Sequence, residues 1–336
     1  MRYNACTGFD STEYYFSMPT KRFDEVMQAL FSQIFEQTFD QNEVIKQRSI
    51  ISDERKGKEP FYPGNNSVTE WCGKNWINNF HAPLELTLGS DDSLEEINSD
   101  NLRKVHSASY FGRGNSVVAC GNFDPTRLQE VFSKVVISES ALPRKEMKYE
   151  WFNKDVAAFF DVMTRFEFWV GNFGHETPSL IDSESIEFIV DFLINPKTGI
   201  WYKWLRYEKG WAYHVDSMVD IDSNGWVWKF MFPVSSFANL SVVKRKMWGI
   251  AKKALHDRHL IESNVERLEL EDVYCFQTIL SRVDMASESV IRHGRVITQE
   301  ESIRVTREAT EPEQLSRVFE TYFVNENMGS MLIGPK

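Results

Sequence analysis

The chain has 336 residues, 42% of them hydrophobic and 14% aromatic, enough to bury a core in each of two ordinary domains. Its formal charge of −11 argues against nucleic acid as the main partner, because phosphate binding draws on a basic surface and no basic stripe is present. It also lacks the run of about 18 apolar residues that a membrane span needs, and its first residues lack the pattern of a signal peptide.

Residues 3–16, YNACTGFDSTEYYF, mix Tyr, Phe, Thr and Cys with the turn formers Gly8 and Asp10, and predict two short strands around a bend. Phe23, Val26, Met27, Leu30, Phe31, Ile34 and Phe35 then fall on one helical face, predicting a helix over 21–39. Asp40 is placed to cap a second helix, over 41–57. Further on, NSVVACGNF (115–123) predicts a buried strand, followed by a helix with Asp124 as its cap and Pro125 at its first position. The polar, proline-bearing stretch 138–150 reads as a linker between domains 1–137 and 151–336. The second domain opens with a strand near AAFFDVMTRFEFWVG and a helix over 184–194, then a hairpin of WAYHVDSMV and WVWKFMFPV around DSNG. Helices fill most of what remains.

YFGRGNSVVACG (110–121) and YFVNENMGSMLIG (322–334) each place Tyr-Phe, a polar turn, an apolar run and a glycine after a helix. A duplicated α+β domain explains the echo, and so does the general form of a helix, turn and strand. Cys6, Cys72, Cys120 and Cys275 stand far apart with no C-x-x-C pair, which reads as reduced, mostly buried thiols in a cytoplasmic protein. Among the seven histidines no pair stands four apart, and only His256 and His259 share a helix face, of the kind that is usually solvated.

On the second helix Gln47, Ile50, Ile51 and Glu54 share a side, which turns Glu54 toward apolar neighbours. Such a carboxylate needs a cation, either in a salt bridge or as a metal. Arg206 is free to pair with Glu208 or Asp220, and Tyr213 in WAYHV reads as a strand aromatic.

The order of several motifs goes further. NACT at Asn4–Thr7, DSTEYYF, QRSIISDE ending at Glu54, the stretch HAPLELTLGSDDSLEEINSDNLRKVHSASYFGRGNSVVACGNFD and TGIWYKWLRYEKGWAYHVDSMVDIDSNGWVWKFMF resemble, in sequence order, the pitrilysin/insulinase family of zinc metallopeptidases, which includes the mitochondrial processing peptidases. The family's corresponding helix reads E-R-x-x-I-x-x-E, with its last Glu as the third zinc ligand. The resemblance therefore implies Glu54 as a metal ligand, with Gln47, beside the metal's ligand shell, replacing the first Glu. The family's L-R-E-x-x-G-L-A-Y segment implies Arg206 and Tyr213 as catalytic donors to the substrate carbonyl. Asn4 and Ala5 are implied to pair with the substrate main chain as an added strand.

In the family an inverted motif, H-x-x-E-H, supplies two His ligands and the general base upstream of N-A-x-T, and no such motif occurs in this chain. The expected fold is α+β: two similar clamshell domains, each a mostly antiparallel sheet with helices on one face, the first incomplete at its N-terminus. The expected activity is a zinc endopeptidase acting on peptides, here a truncated copy inactive alone that does not hold zinc tightly. The alternative is a non-catalytic subunit that lends Arg206 and Tyr213 to a zinc-bearing paralogous partner. Exposed apolar surface on the helix over 21–39 and an open sheet edge favour a homo-oligomer or such a partner.

Overall fold

The computed structural model describes residues 2–7, 11–58, 75–78, 88, 91–111, 115–135, 150–161, 163–222 and 225–336. Gly8, Asp10, Cys72, His81, the linker residues 138–149 and the turn residues Ser223 and Asn224 lie outside them. The chain divides into two compact units, Met1–Pro60 with Leu84–Glu146, and Phe61–Pro83 with Met147–Lys336.

In the first unit β1 (Arg2–Thr7) and β2 (Thr12–Ser17) pair antiparallel, Asn4 opposite Tyr15 and Ala5 opposite Tyr14. Helix α1 (Phe23–Phe35) buries Phe23, Val26, Met27 and Leu30. It ends before residue 39, where Phe39 takes a left-handed φ of 51° that breaks helical geometry. Helix α2 (Gln41–Lys58) starts as its sequence predicts: the Asp40 carboxylate accepts hydrogen bonds from the N–H groups of Asn42 (2.9 Å) and Glu43 (3.1 Å). Next come α3 (Asp91–Glu96), α4 (Ser99–Ser109) and α5 (Pro125–Phe132). Asp124 caps α5 by accepting from Thr126 N–H at 2.9 Å, with Pro125 at the first position. Leu128, Val131 and Phe132 of α5 join Phe123 and Phe16 against α1 in a small core.

Residues 115–120 form no strand, and Val117 is 51% exposed. A strand needs a ladder partner as well as β-branched residues, and among the described residues of this unit only β1 and β2 form a ladder. Residues 115–120 of the first half of the sequence echo therefore form no strand, whereas the second half builds β9 (Gly329–Pro335).

The second unit also contains β3 (Ile77–Asn78), β4 (Glu150–Trp151), β5 (Asp155–Phe160), β6 (Phe166–Gly174), β7 (Asp216–Asp222) and β8 (Gly225–Val234). Strands β5 to β9 form one sheet in the order β5-β9-β6-β8-β7, antiparallel except for the parallel β5/β9 pair. The single strand predicted over 157–171 is thus two strands, β5 and β6, held apart by β9. Alternation along β8 sorts the core: Trp226, Trp228, Phe230 and Phe232 point to one face, Val227 and Met231 to the other. The first face is covered by α6 (Leu180–Ile194), α8 (Phe237–Ala254) and α12 (Pro312–Val318), which share one large apolar cluster.

On the second face Trp76 and Ile77, both 0% exposed, pack with Trp169, Phe173, Met331 and Ile333. This explains why residues 75–78 belong to the second unit, although they fall within the domain 1–137 expected from sequence. Helix α6 starts at Leu180 rather than 184 because Ser179 Oγ accepts from Asp182 N–H at 3.1 Å. Helices α9 (Arg258–Cys275), α10 (Ile279–His293) and α11 (Gln299–Ala309) complete the helical layer, with α7 (Ile200–Tyr202) a single turn before the hairpin.

Gly225 opens β8 at φ +140°, and a methyl group there would lie 2.0 Å from the Gly174 carbonyl oxygen. Gly225→Ala is expected to lower the unfolding free energy by about 2 kcal/mol or more, read from a urea titration beside the wild type.

Candidate functional site

Asn4 and Ala5 are exposed on β1, and Asn4 Oδ1 accepts from Ala5 N–H at 3.0 Å. Among the described residues β1 pairs with β2 alone. The Tyr14 and Tyr110 hydroxyls are 2.6 Å apart and tie β2 to the end of α4. Burial, then the hydrogen bond with Tyr110, holds the Tyr14 phenol well above its usual range.

Glu54 does not turn to the apolar side of α2. Val44 is buried and Arg48 and Ile51 are half-buried, whereas Gln47, Ile50 and Glu54 are exposed. Two anchors set this phase. Gln41 Oε1 accepts from Ser99 N–H (2.9 Å) and Ser99 Oγ–H (2.8 Å), and Arg48 Nη1 donates to Ile97 O (3.3 Å). The side made by 41, 44, 48 and 51 is thereby held inward, which rotates 47 and 54 outward together. Among the described residues no three His, Cys, Asp or Glu are grouped so as to hold a metal ion. His259 has a 98% exposed side chain, and His256 Nδ1 lies 2.7 Å from Lys252 O, the solvated reading of that pair.

A concavity of about 590 Å³ opens beside Thr38, Asp40, Asn98 and Arg103. Its polar groups serve the local fold: Asp40 and Asn98 cap α2 and α4, and Arg103 Nε donates to Thr38 O at 3.3 Å. Cys6 and Cys275 are exposed free thiols, not the buried ones expected, since Cys6 lies on the open hairpin and Cys275 ends α9.

The geometry around Arg206 is more specific. After α7, residues Lys203–Glu208 continue as a π-helix, in which Lys209 N–H reaches Trp204 O at 3.1 Å. Gly210, at φ +62°, then turns the chain back. Arg206 Nη1 consequently donates both to Tyr202 Oη and to Tyr213 O, the latter at 3.1 Å. Its guanidinium carbon lies 5.3 Å from the Tyr202 ring centre, 5.6 Å from that of Tyr207 and 4.3 Å from that of Tyr213. Three ring faces thus hold one cation, each through its negative quadrupole.

Neither ion pair open to Arg206 in the sequence is made: among the described residues no carboxylate stands within 4.0 Å of it. Tyr213 is not a strand aromatic either. It precedes β7 and is 73% exposed, and Tyr207 is 66% exposed. Tyr202 and Tyr207 escaped the sequence reading, although their positions four before and one after Arg206 were a usable signal, since a helical turn brings the first of these within reach.

The sequence profile described as Insulinase (Peptidase family M16) matches residues 1–73. No curated protein matches the chain. Among solved structures, a protease from Helicobacter pylori superposes with a TM-score of 0.79 at 13% identity, over 99% of this chain and 82% of that one. A protein described as an M16-like peptidase, from Alicyclobacillus acidocaldarius, gives 0.77 at 15% identity, over 99% and 80%. A peptidase M16 inactive domain from Pseudomonas fluorescens gives 0.72 at 12% identity, over 94% and 76%. At these identities the likeness establishes the fold: this chain has the α+β architecture of M16-like peptidases.

Proposed function

We propose that the chain is an insulinase-type member of the M16 peptidases that holds an extended peptide, with Arg206 and Tyr213 of the second unit donating hydrogen bonds to it; in the first unit, the β1 edge around Asn4 and Ala5 is by itself suited to pairing with an added strand. The observation that carries this reading is the clamp on Arg206: a cation fixed by three tyrosine rings, without a carboxylate partner among the described residues, beside an exposed Tyr213. The profile match over residues 1–73 and the shared fold support it.

Zinc in such enzymes needs three protein ligands and a water. The described residues do not fit it, because no three His, Cys, Asp or Glu among them are grouped so as to hold a metal ion, and Glu54 is exposed. No hydrolytic step is therefore assigned to this chain's residues. The chain binds peptide, and cleavage draws on zinc ligands from a further segment or from a zinc-bearing partner chain.

The purified chain is expected to carry well under one zinc per molecule by atomic emission, to leave a labelled, unstructured peptide uncut, and to bind that peptide in fluorescence anisotropy. One tightly held zinc together with cleavage would overturn the reading, and so would the absence of peptide binding.

A further inference from the structure

Arg206 carries five N–H donors, and among the described residues only Nη1 is engaged, on Tyr202 Oη and Tyr213 O. Among the described residues Nε and Nη2 have no partner, and together they form the flat edge of the guanidinium fork. The tyrosine rings fix the direction of that edge but leave its charge in place, since ring quadrupoles attract a cation without neutralising it. From Lys203 to Lys209 three cations stand against one carboxylate, Glu208, in a chain whose net charge is −11. Two tyrosines of the clamp, Tyr207 and Tyr213, keep their hydroxyls out of any hydrogen bond among the described residues.

A main-chain carbonyl needs one donor. A fixed two-point fork with an uncompensated charge matches a carboxylate, which accepts two parallel N–H bonds. We propose that the Arg206 clamp is a carboxylate receptor, so that the peptides this chain holds best present a C-terminal carboxylate or an acidic side chain to the Nε–Nη2 edge. This rests on the peptide-binding reading above and adds the class of group recognised. Tyr202 and Tyr207 act as positioning residues: they aim the fork and do not themselves touch the peptide.

The test uses three labelled peptides of one neutral sequence on the whole chain: amidated, with a free C-terminal carboxylate, and amidated with a single Glu. The carboxylate peptide, the Glu peptide or both are expected to bind roughly tenfold more tightly than the neutral amide, consistent with hydrogen bonds to a charged group. Which of the two gains identifies the source of the carboxylate. Arg206→Met is expected to abolish the gain, and Arg206→Lys to retain only part of it, because an ammonium lacks the fork.

Tyr207→Glu supplies a second test that does not depend on how well the Arg206 variants fold, because it changes an exposed side chain. By setting a carboxylate beside the guanidinium it is expected to remove the gain of the carboxylate-bearing peptides over the neutral amide. Equal binding of all three peptides that is lost in Arg206→Met would overturn the carboxylate receptor while leaving the peptide-binding reading intact. A gain that survives Arg206→Met or Tyr207→Glu would overturn the receptor, and failure of every peptide to bind would overturn both.

Discussion

Glu184→Gln is expected to stabilise the protein at pH 8 by about 3 kcal/mol at most, and to have almost no effect at pH 4. Glu184 lies on α6, where its carboxyl accepts from Thr306 Oγ–H of α11 at 3.0 Å. Burial, and then the neighbouring charge of Glu187, pushes it up to about 7, with Asp272 of α9 adding to the rise. The Thr306 hydrogen bond and the Arg292 charge of α10 oppose the rise without cancelling it.

The sign follows from proton counting. Between the ordinary carboxylate value of 4.5 and about 7 the folded protein keeps a proton that the unfolded chain has released. Stability therefore falls as pH rises through that window, and the loss is complete above it. Gln carries no titrating proton, so chemical denaturation from pH 4 to 8 is expected to give a falling curve for wild type and a flatter one for the variant. Parallel curves would refute the assignment.

Trp228→Ala is expected to cost about 4 kcal/mol or more, enough to threaten the fold of the second unit. Trp228 is 0% exposed in the middle of β8, stacks on Phe323 at 5.0 Å and meets Phe230 at 5.2 Å. Its Nε1–H donates to Tyr322 O at 2.9 Å, so truncation leaves a cavity and also removes a donor from that carbonyl. Tyr322 O keeps Asn172 Nδ2 at 3.0 Å, which limits the second penalty. Trp228→Phe separates the two effects: most of the packing volume remains, and a loss of about 1–2 kcal/mol is expected from the hydrogen bond alone. Urea midpoints of the two variants, with near-ultraviolet circular dichroism to check tertiary packing, read both quantities.

Local rules carried much of the fold. The spacing of Phe23, Val26, Met27 and Leu30 located α1, Asp40 and Asp124 located two helix starts, and the hairpin of β7 and β8 was visible as two apolar runs around a turn. Failures arose where the partner is distant in sequence. VVAC looked like a strand because strand propensity is local, but a ladder is not. WAYHV looked like strand because the π-helical turn and Gly210 that pull Tyr213 back onto Arg206 break no hydrophobic pattern.

From sequence Glu54 reads as inward because its helix has apolar residues on two sides, and the anchors from Ser99 and Ile97 decide between them. The motif order points to Arg206 and Tyr213 as candidates, whereas Tyr202 and Tyr207 come into view only in the clamp itself. Glu184 sits in a helix whose apolar faces nearly surround it, and its neighbour Asp272 is far along the chain, so its environment was hidden from a linear reading.

The place of β9 in the sheet bears on how this protein is made. Residues Gly329–Pro335 fill the gap between β5 and β6, strands that left the ribosome long before them. At ordinary synthesis rates of about 5–20 residues per second, the stretch between Gly174 and Gly329 takes roughly 10–30 s to appear. Throughout that interval β5 lacks its partner and one side of β6 is an open edge lined by Trp169 and Phe168. A nascent chain in this state is a natural client for chaperones that shield strand edges, and its vulnerability ends with the arrival of a single seven-residue segment.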